Sequence, residues 1–199
     1  MISNLPNILT ASRIGAIPVI ALLLFLPEPL GPWLAALAFV LAALTDFFDG
    51  YIARRRQQQS SLGVLLDPIA DKLLVAAVLF MLVAFHHVTG ATIVPAAIIL
   101  CREILVSGLR EFLAGLRIDL PVSRLAKWKT GIQMIAIIVL LLAGTTPSVL
   151  AAIGAIGLWI AAALTVITGY DYFRQGLRQI AAREATQSLS NRARPSGAS

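Results

Sequence analysis

The sequence predicts an all-α integral membrane protein with six transmembrane helices, and three observations carry that reading. Of the 199 residues 58% are hydrophobic and only 13% are charged, and the mean hydropathy is +0.86, a composition of membrane rather than soluble proteins. Six apolar stretches, at about 8–27, 33–55, 67–86, 92–116, 124–143 and 148–171, are each close to the ~20 residues that cross a bilayer. Helix breakers or polar runs separate them.

The first stretch opens on Pro6 and Asn7, ordinary helix-start residues, and ends at the proline-rich step 27–32. It lacks a small-residue cleavage site and leads straight into the next span, so it reads as a retained helix. The second ends in the polar run 55–61, the third at His86, His87 and Gly90, and the fourth at a turn over 117–123 that contains Pro121. Gly144 and Pro147 separate the fifth from the sixth. Residues 1–180 read as one membrane domain without internal repeats, and 181–199, rich in Ser, Arg, Pro and Gly, as a disordered cytoplasmic tail. The single cysteine, Cys101, excludes an intrachain disulfide and reads as a packing residue.

Orientation follows from the basic residues, which concentrate in short cytoplasmic loops. Arg54, Arg55 and Arg56 lie between the second and third stretches, Arg117, Arg124, Lys127 and Lys129 flank the turn before the fifth, and Arg174, Arg178 and Arg183 follow the sixth. The alternate loops, around Glu28, His87 and Thr146, carry no Lys or Arg. Both termini are therefore expected in the cytoplasm, which for a bacterial chain means insertion in the inner membrane. The net charge of +6 reads as a basic rim beside anionic lipid heads. Nucleic acid is not an expected partner, because the charge is dispersed over loop ends and no soluble domain carries a groove. His86 and His87 read as surface on the opposite side, and Trp33, Trp128 and Trp159 as interfacial or packing residues.

Against this apolar background four aspartates stand out: Asp46, Asp49, Asp67 and Asp71, in a chain with only ten acidic residues. A carboxylate beside hydrocarbon-buried helix is costly unless something compensates it, and a bound cation is the natural compensation. Asp46 and Asp49 are three residues apart, and Asp67 and Asp71 four apart, so on helices each pair shares one face. Two such faces turned together make an oxygen-rich cage for hard divalent cations, Mg2+ or Mn2+. The plainer alternative pairs each acid with a nearby Arg or Lys. Gly50 and Ala53 leave a helix surface bare enough for a flat base or sugar, or for close helix packing.

The run reads D-x2-D-G-x2-A-R-x8-G-x3-D-x3-D over Asp46, Asp49, Gly50, Ala53, Arg54, Gly63, Asp67 and Asp71. It resembles the signature of the CDP-alcohol phosphatidyltransferases. The opening NLPNILTASRI (residues 4–14) and the segment CREILVSGLRE (residues 101–111) are similar to the phosphatidylglycerophosphate synthase branch. The resemblance implies a CDP-alcohol phosphatidyltransferase-like fold and a transfer of the phosphatidyl group from CDP-diacylglycerol to sn-glycerol 3-phosphate, with release of CMP. It implies two Mg2+ or Mn2+ ions held by Asp46, Asp49, Asp67 and Asp71, with Asp71 also taking the proton of the attacking hydroxyl. It further implies a CDP-diacylglycerol site at Gly50, Ala53, Arg54 and Gly63, with contacts from Asn7 and Thr10, and a homodimer.

In residues 101–111 four charges, Arg102, Glu103, Arg110 and Glu111, interrupt an apolar helix, and charges at such depth face a cavity or each other. One reading is an internal Glu–Arg lattice. The other gives Arg102 and Arg110, with Lys127 and Lys129 of the next helix, an anion pocket for an acceptor that carries its own phosphate. Asn7, Thr10 and Arg13 form a polar stripe on the first helix. Alternatives are the same chemistry on phosphatidylglycerol, inositol or inositol phosphate, and a divalent-cation transporter. The transporter explains the acids but not the fixed offsets of Gly50, Ala53, Arg54 and Gly63.

Overall fold

A computed structural model describes the backbone of residues 5–56, 61–116, 118, 124–145 and 148–193. Side chains are described over 11–45, 69–70, 72–116, 118, 125, 127–145 and 148–181. Six α-helices follow one another among the described residues: α1 (Leu5–Leu23), α2 (Leu30–Arg56), α3 (Ser61–Ala84), α4 (Ile93–Gly115), α5 (Arg124–Ala143) and α6 (Val149–Ala193). Each expected apolar stretch has become one helix. Two runs among the described residues are long and apolar enough to cross a membrane, Gly90–Gly115 and Val149–Ala181, and shorter apolar runs cover Ala11–Leu23, Leu30–Thr45 and Lys72–Ala84.

The helices bury an aliphatic core of Ile20, Phe39, Val78, Leu82, Ile99, Ile137, Leu140 and Leu158. α5 packs most extensively on α6, and α1 packs on both α2 and α3. Small residues make the α5–α6 approach possible. A Cβ on Gly154 would stand 2.7 Å from Leu140 Cγ, and one on Gly157 3.1 Å from Ala136 Cβ, so the helices meet at van der Waals distance where glycine faces them. The outer surface is as apolar as the core: Leu22, Phe25, Phe80, Ile104, Leu105, Phe112, Ile135 and Ile156 are all exposed. A surface of this kind suits lipid and not water.

Four expectations change. α3 opens at Ser61, so Asp67 lies inside the helix rather than at its first turn. The tail expected to be disordered from residue 181 continues as helix to Ala193. Cys101 faces outward on α4 instead of packing inside. His87 is buried rather than on the surface, and its Nδ1 donates to Leu140 O at 3.2 Å. Leu140 lies in the last turn of α5, where carbonyls lack helical partners, so the imidazole closes that helix end.

Candidate active site

The polar interior of the bundle centres on Glu103, 8% exposed on α4. Three cations converge on its carboxylate. Lys72 Nζ of α3 reaches Oε2 at 2.6 Å, Arg102 Nη1 reaches Oε1 at 3.3 Å, and Lys129 Nζ of α5 donates to Oε1. A buried carboxylate is tolerated only with such partners, and here they tie α3, α4 and α5 together. Among the described residues, the cluster gathers three cations on one carboxylate.

Arg102 is fixed from the far side as well. Its Nη2 donates to Thr168 Oγ1 at 3.1 Å, and Thr168 donates in turn to Leu164 O at 2.7 Å. Gly169 makes room for the arginine stem, since a Cβ there would lie 3.1 Å from both Arg102 Cγ and Nε. The guanidinium therefore bridges α4 and α6 while presenting one edge to Glu103.

A cavity of about 410 Å³ opens beside this cluster, lined by Arg13 of α1, Ala43 and Leu44 of α2, Lys72 of α3, Glu103 of α4 and Gln133 of α5, among others. Its wall runs into both aspartate-bearing segments. Leu44 precedes Asp46 by two residues, and Lys72 directly follows Asp71. α2 is continuous through Asp46 and Asp49, and α3 through Asp67 and Asp71, so the helical spacing on which two paired carboxylate faces depend holds at the backbone. Gly50, Ala53 and Arg54 lie in the last two turns of α2, Gly63 near the start of α3, and Asn7 and Thr10 in the first turns of α1. The side chains of the four aspartates, Arg54, Asn7 and Thr10 lie outside the described residues.

Of the four cations expected to bind a second anion, Arg102 and Lys129 come together on Glu103. Arg110 and Lys127 do not join them. Arg110 is exposed, with its guanidinium 5.7 Å from the Tyr172 ring of α6, a cation–π contact, and Lys127 is exposed on α5. Lys129, at 3% exposure, is an interior residue and not a loop charge. Sequence reasoning missed Lys72, Thr130 and Gln133 as cavity residues. Lys72 had a signal, since it follows Asp71 directly, whereas Gln133 is a lone amide in an apolar run.

Four aspartates on two continuous helices are a set of oxygen donors, a chemistry that suits hard cations. Comparison with known proteins identifies the family. The family model described as CDP-alcohol phosphatidyltransferase matches residues 3–167. A Rickettsia bellii protein is 54% identical over 173 residues, which cover 86% of this chain and 94% of that one. A Cereibacter sphaeroides protein is 41% identical over 212 residues (87% and 96%), and one from Pectobacterium atrosepticum is 42% identical over 171 residues (85% and 92%). All three relatives carry the name CDP-diacylglycerol–glycerol-3-phosphate 3-phosphatidyltransferase. A match over most of the chain, with the aspartate run intact, makes this protein a member of the CDP-alcohol phosphatidyltransferase family.

Proposed function

We propose that this chain transfers the phosphatidyl group of CDP-diacylglycerol to sn-glycerol 3-phosphate, giving phosphatidylglycerol phosphate and CMP. The observation that carries the reading is the cavity that joins the aspartate-bearing helices to the cations gathered on Glu103. Relatives with the corresponding name support the choice of acceptor, and family membership sets aside the transporter alternative.

In this reading Asp46, Asp49, Asp67 and Asp71 hold two Mg2+ or Mn2+ ions. When bound, such ions neutralise the pyrophosphate and stabilise the attacking and leaving oxygens of a displacement at phosphorus. Asp71 takes the proton from the attacking hydroxyl of the acceptor. Gly50 and Ala53 give the cytidine and ribose a bare helix surface, Arg54 pairs with the pyrophosphate, and Asn7, Thr10 and Gly63 complete that site. Lys72, Arg102 and Lys129 supply positive charge for the acceptor's phosphate, while Arg110 and Lys127 attract it at the exposed mouth. Position and charge are the main requirements of phosphoryl transfer, and this arrangement supplies both.

The basic residues that flank the polar side of the second, fourth and sixth apolar stretches support a cytoplasmic active site, with residues 1–180 as a six-span catalytic domain in the bacterial inner membrane. At 45 residues α6 is about 67 Å long, far beyond the ~30 Å hydrocarbon core, so its last turns continue into the cytoplasm. The outward apolar faces leave room for lipid and for a second copy of the chain in a homodimer. Mass spectrometry of the lipid product tests the activity. Purified protein in detergent with CDP-diacylglycerol, glycerol 3-phosphate and Mg2+ should form phosphatidylglycerol phosphate, and folded protein that forms none would overturn the proposal.

A further inference from the structure

Arg13 stands on the inward stripe of α1 with Ile17 and Ile20, and only 3% of it is exposed. A guanidinium so deep in an apolar bundle needs an anion beside it, because arginine does not shed its charge. It lines the cavity with Ala43 and Leu44 of α2 and Lys72 and Val75 of α3. Among the described residues of that lining the one carboxylate is Glu103, on which Lys72, Arg102 and Lys129 already gather.

The topology brings other carboxylates near. α1 packs on both α2 and α3. Residues 24–29 alone separate α1 from α2, and 57–60 alone separate α2 from α3, so the start of α1, the end of α2 and the start of α3 share one end of the bundle. Asp46 follows the cavity residue Ala43 by three positions, and Asp71 precedes the cavity residue Val75 by four. In helical register each aspartate therefore continues the cavity side of its helix one turn, about 5–6 Å, nearer that end. The Cα–Cβ bond of a helical residue tilts toward the helix start, so Arg13 leans toward the same end, and its long stem spans such a step. Asp71 adjoins Lys72, whereas no Lys or Arg lies within seven residues of Asp46 along the chain.

Resting on the proposed metal site, we infer that Arg13 pairs with Asp46 and is a positioning residue, which fixes that carboxylate for a dication without itself touching substrate. A carboxylate has about four lone-pair positions, so planar guanidinium donors can set its tilt and leave others for the cation. A partner that fixes a ligand in this way is worth about 10–100-fold in metal affinity.

Thermal unfolding in detergent with EDTA tests the pair in the absence of metal. Arg13→Met should lower the melting temperature by about 5–10 °C, as loss of one member of a buried pair does, and adding Asp46→Asn should recover at least half of that loss because the stranded charge is gone. Adding Asp71→Asn instead should recover little. No recovery with Asp46→Asn, or equal recovery with Asp71→Asn, overturns the pairing. Arg13→Gln carries the same cycle should the methionine chain fail to fold. Mn2+ titration of the substrate-free protein, with free Mn2+ read by electron paramagnetic resonance, tests the positioning. Arg13→Met should bind Mn2+ about tenfold more weakly than wild type, and Arg13→Lys, which keeps the charge, within about threefold of wild type, while the apparent KM for glycerol 3-phosphate holds in both. Unchanged or tighter Mn2+ binding in folded Arg13→Met overturns the positioning role. A wild type that binds no Mn2+ overturns instead the reading of the aspartates as metal ligands, and the cycle in EDTA still decides the pair.

Discussion

Two glutamates at different places in the bundle show how one residue type serves two purposes. Glu28, between α1 and α2, accepts hydrogen bonds at Oε1 from Thr145 N (2.9 Å) and Thr145 Oγ1 (2.8 Å), and so ties the α1–α2 loop to the α5–α6 loop. Gly144, in the left-handed region at φ +66°, turns the chain there, and a Cβ on it would lie 3.2 Å from the Glu28 carboxylate. Neutral donors at an exposed site hold this carboxylate. Glu103, by contrast, is buried and held by three cations beside a cavity that reaches the aspartate-bearing helices. The first arrangement is complete in itself. The second gathers three cations among the described residues, and the proposed function assigns their charge to an anionic substrate.

The comparison is broken most severely at the aspartates. Asp71→Asn should lower kcat by about 10²–10⁴-fold, the range for loss of a general base, while CDP-diacylglycerol still binds. His87→Ala, among the loop residues after α3, should leave turnover of the folded protein within about twofold, since the imidazole serves only the end of α5. Equal losses in the two variants would remove the distinction between a chemical and a structural region.

Stability should separate the glutamates next. Glu103→Ala removes the buried carboxylate that three cations share, a change of the kind that costs about 3–5 kcal/mol. Glu28→Ala removes exposed hydrogen bonds and should cost less than about 1 kcal/mol. Thermal unfolding in detergent reads both. A Glu28 variant as unstable as the Glu103 variant would make the loop tie a structural keystone.

Within the proposed anion pocket the interior and exposed cations should differ more modestly. Lys129→Ala should raise the apparent KM for glycerol 3-phosphate about tenfold, and Arg110→Ala only about two- to threefold, because solvent screens the exposed guanidinium. Reversal of that order would move the phosphate site outward.

The smallest effect concerns pH. The Thr145 hydroxyl, and then its backbone N–H, hold the Glu28 carboxyl below its ordinary value of 4.5. A carboxyl depressed in the folded state contributes stability that is present above its unfolded pKa and lost as pH falls through the folded one. Wild type should therefore lose slightly more melting temperature than Glu28→Gln between about pH 5 and pH 3. Parallel curves would mean that the tie does not depend on charge.

Much of this was legible in the sequence because hydrophobic run length and breaker residues are local signals. Each of the six apolar stretches became a helix, and the aspartate offsets fell on continuous helices. The family followed from the same offsets, with residues 3–167 matching its model. What could not be read were the contacts set by helix crossing. The sequence left open a Glu–Arg lattice within residues 101–111, yet the partners of Glu103 include Lys72 and Lys129 from two other helices, and Arg110 lies over Tyr172. His87 looked like loop surface because its carbonyl partner, Leu140, is 53 residues away. Gln133 gave no periodic signal at all. The helical stretch 181–193 shows the converse error: its polar composition suggested disorder, but Ala, Arg, Glu and Gln are also good helix formers.

The central claim, that the charge around Glu103 selects an acceptor bearing its own phosphate, is tested most directly by CMP release across a panel of acceptors. Purified protein with CDP-diacylglycerol and Mg2+ should release CMP with glycerol 3-phosphate and little with serine or inositol, which bear no phosphate. Equal release with uncharged inositol would contradict the account, because the cations gathered on Glu103 would then have no part in choosing the substrate.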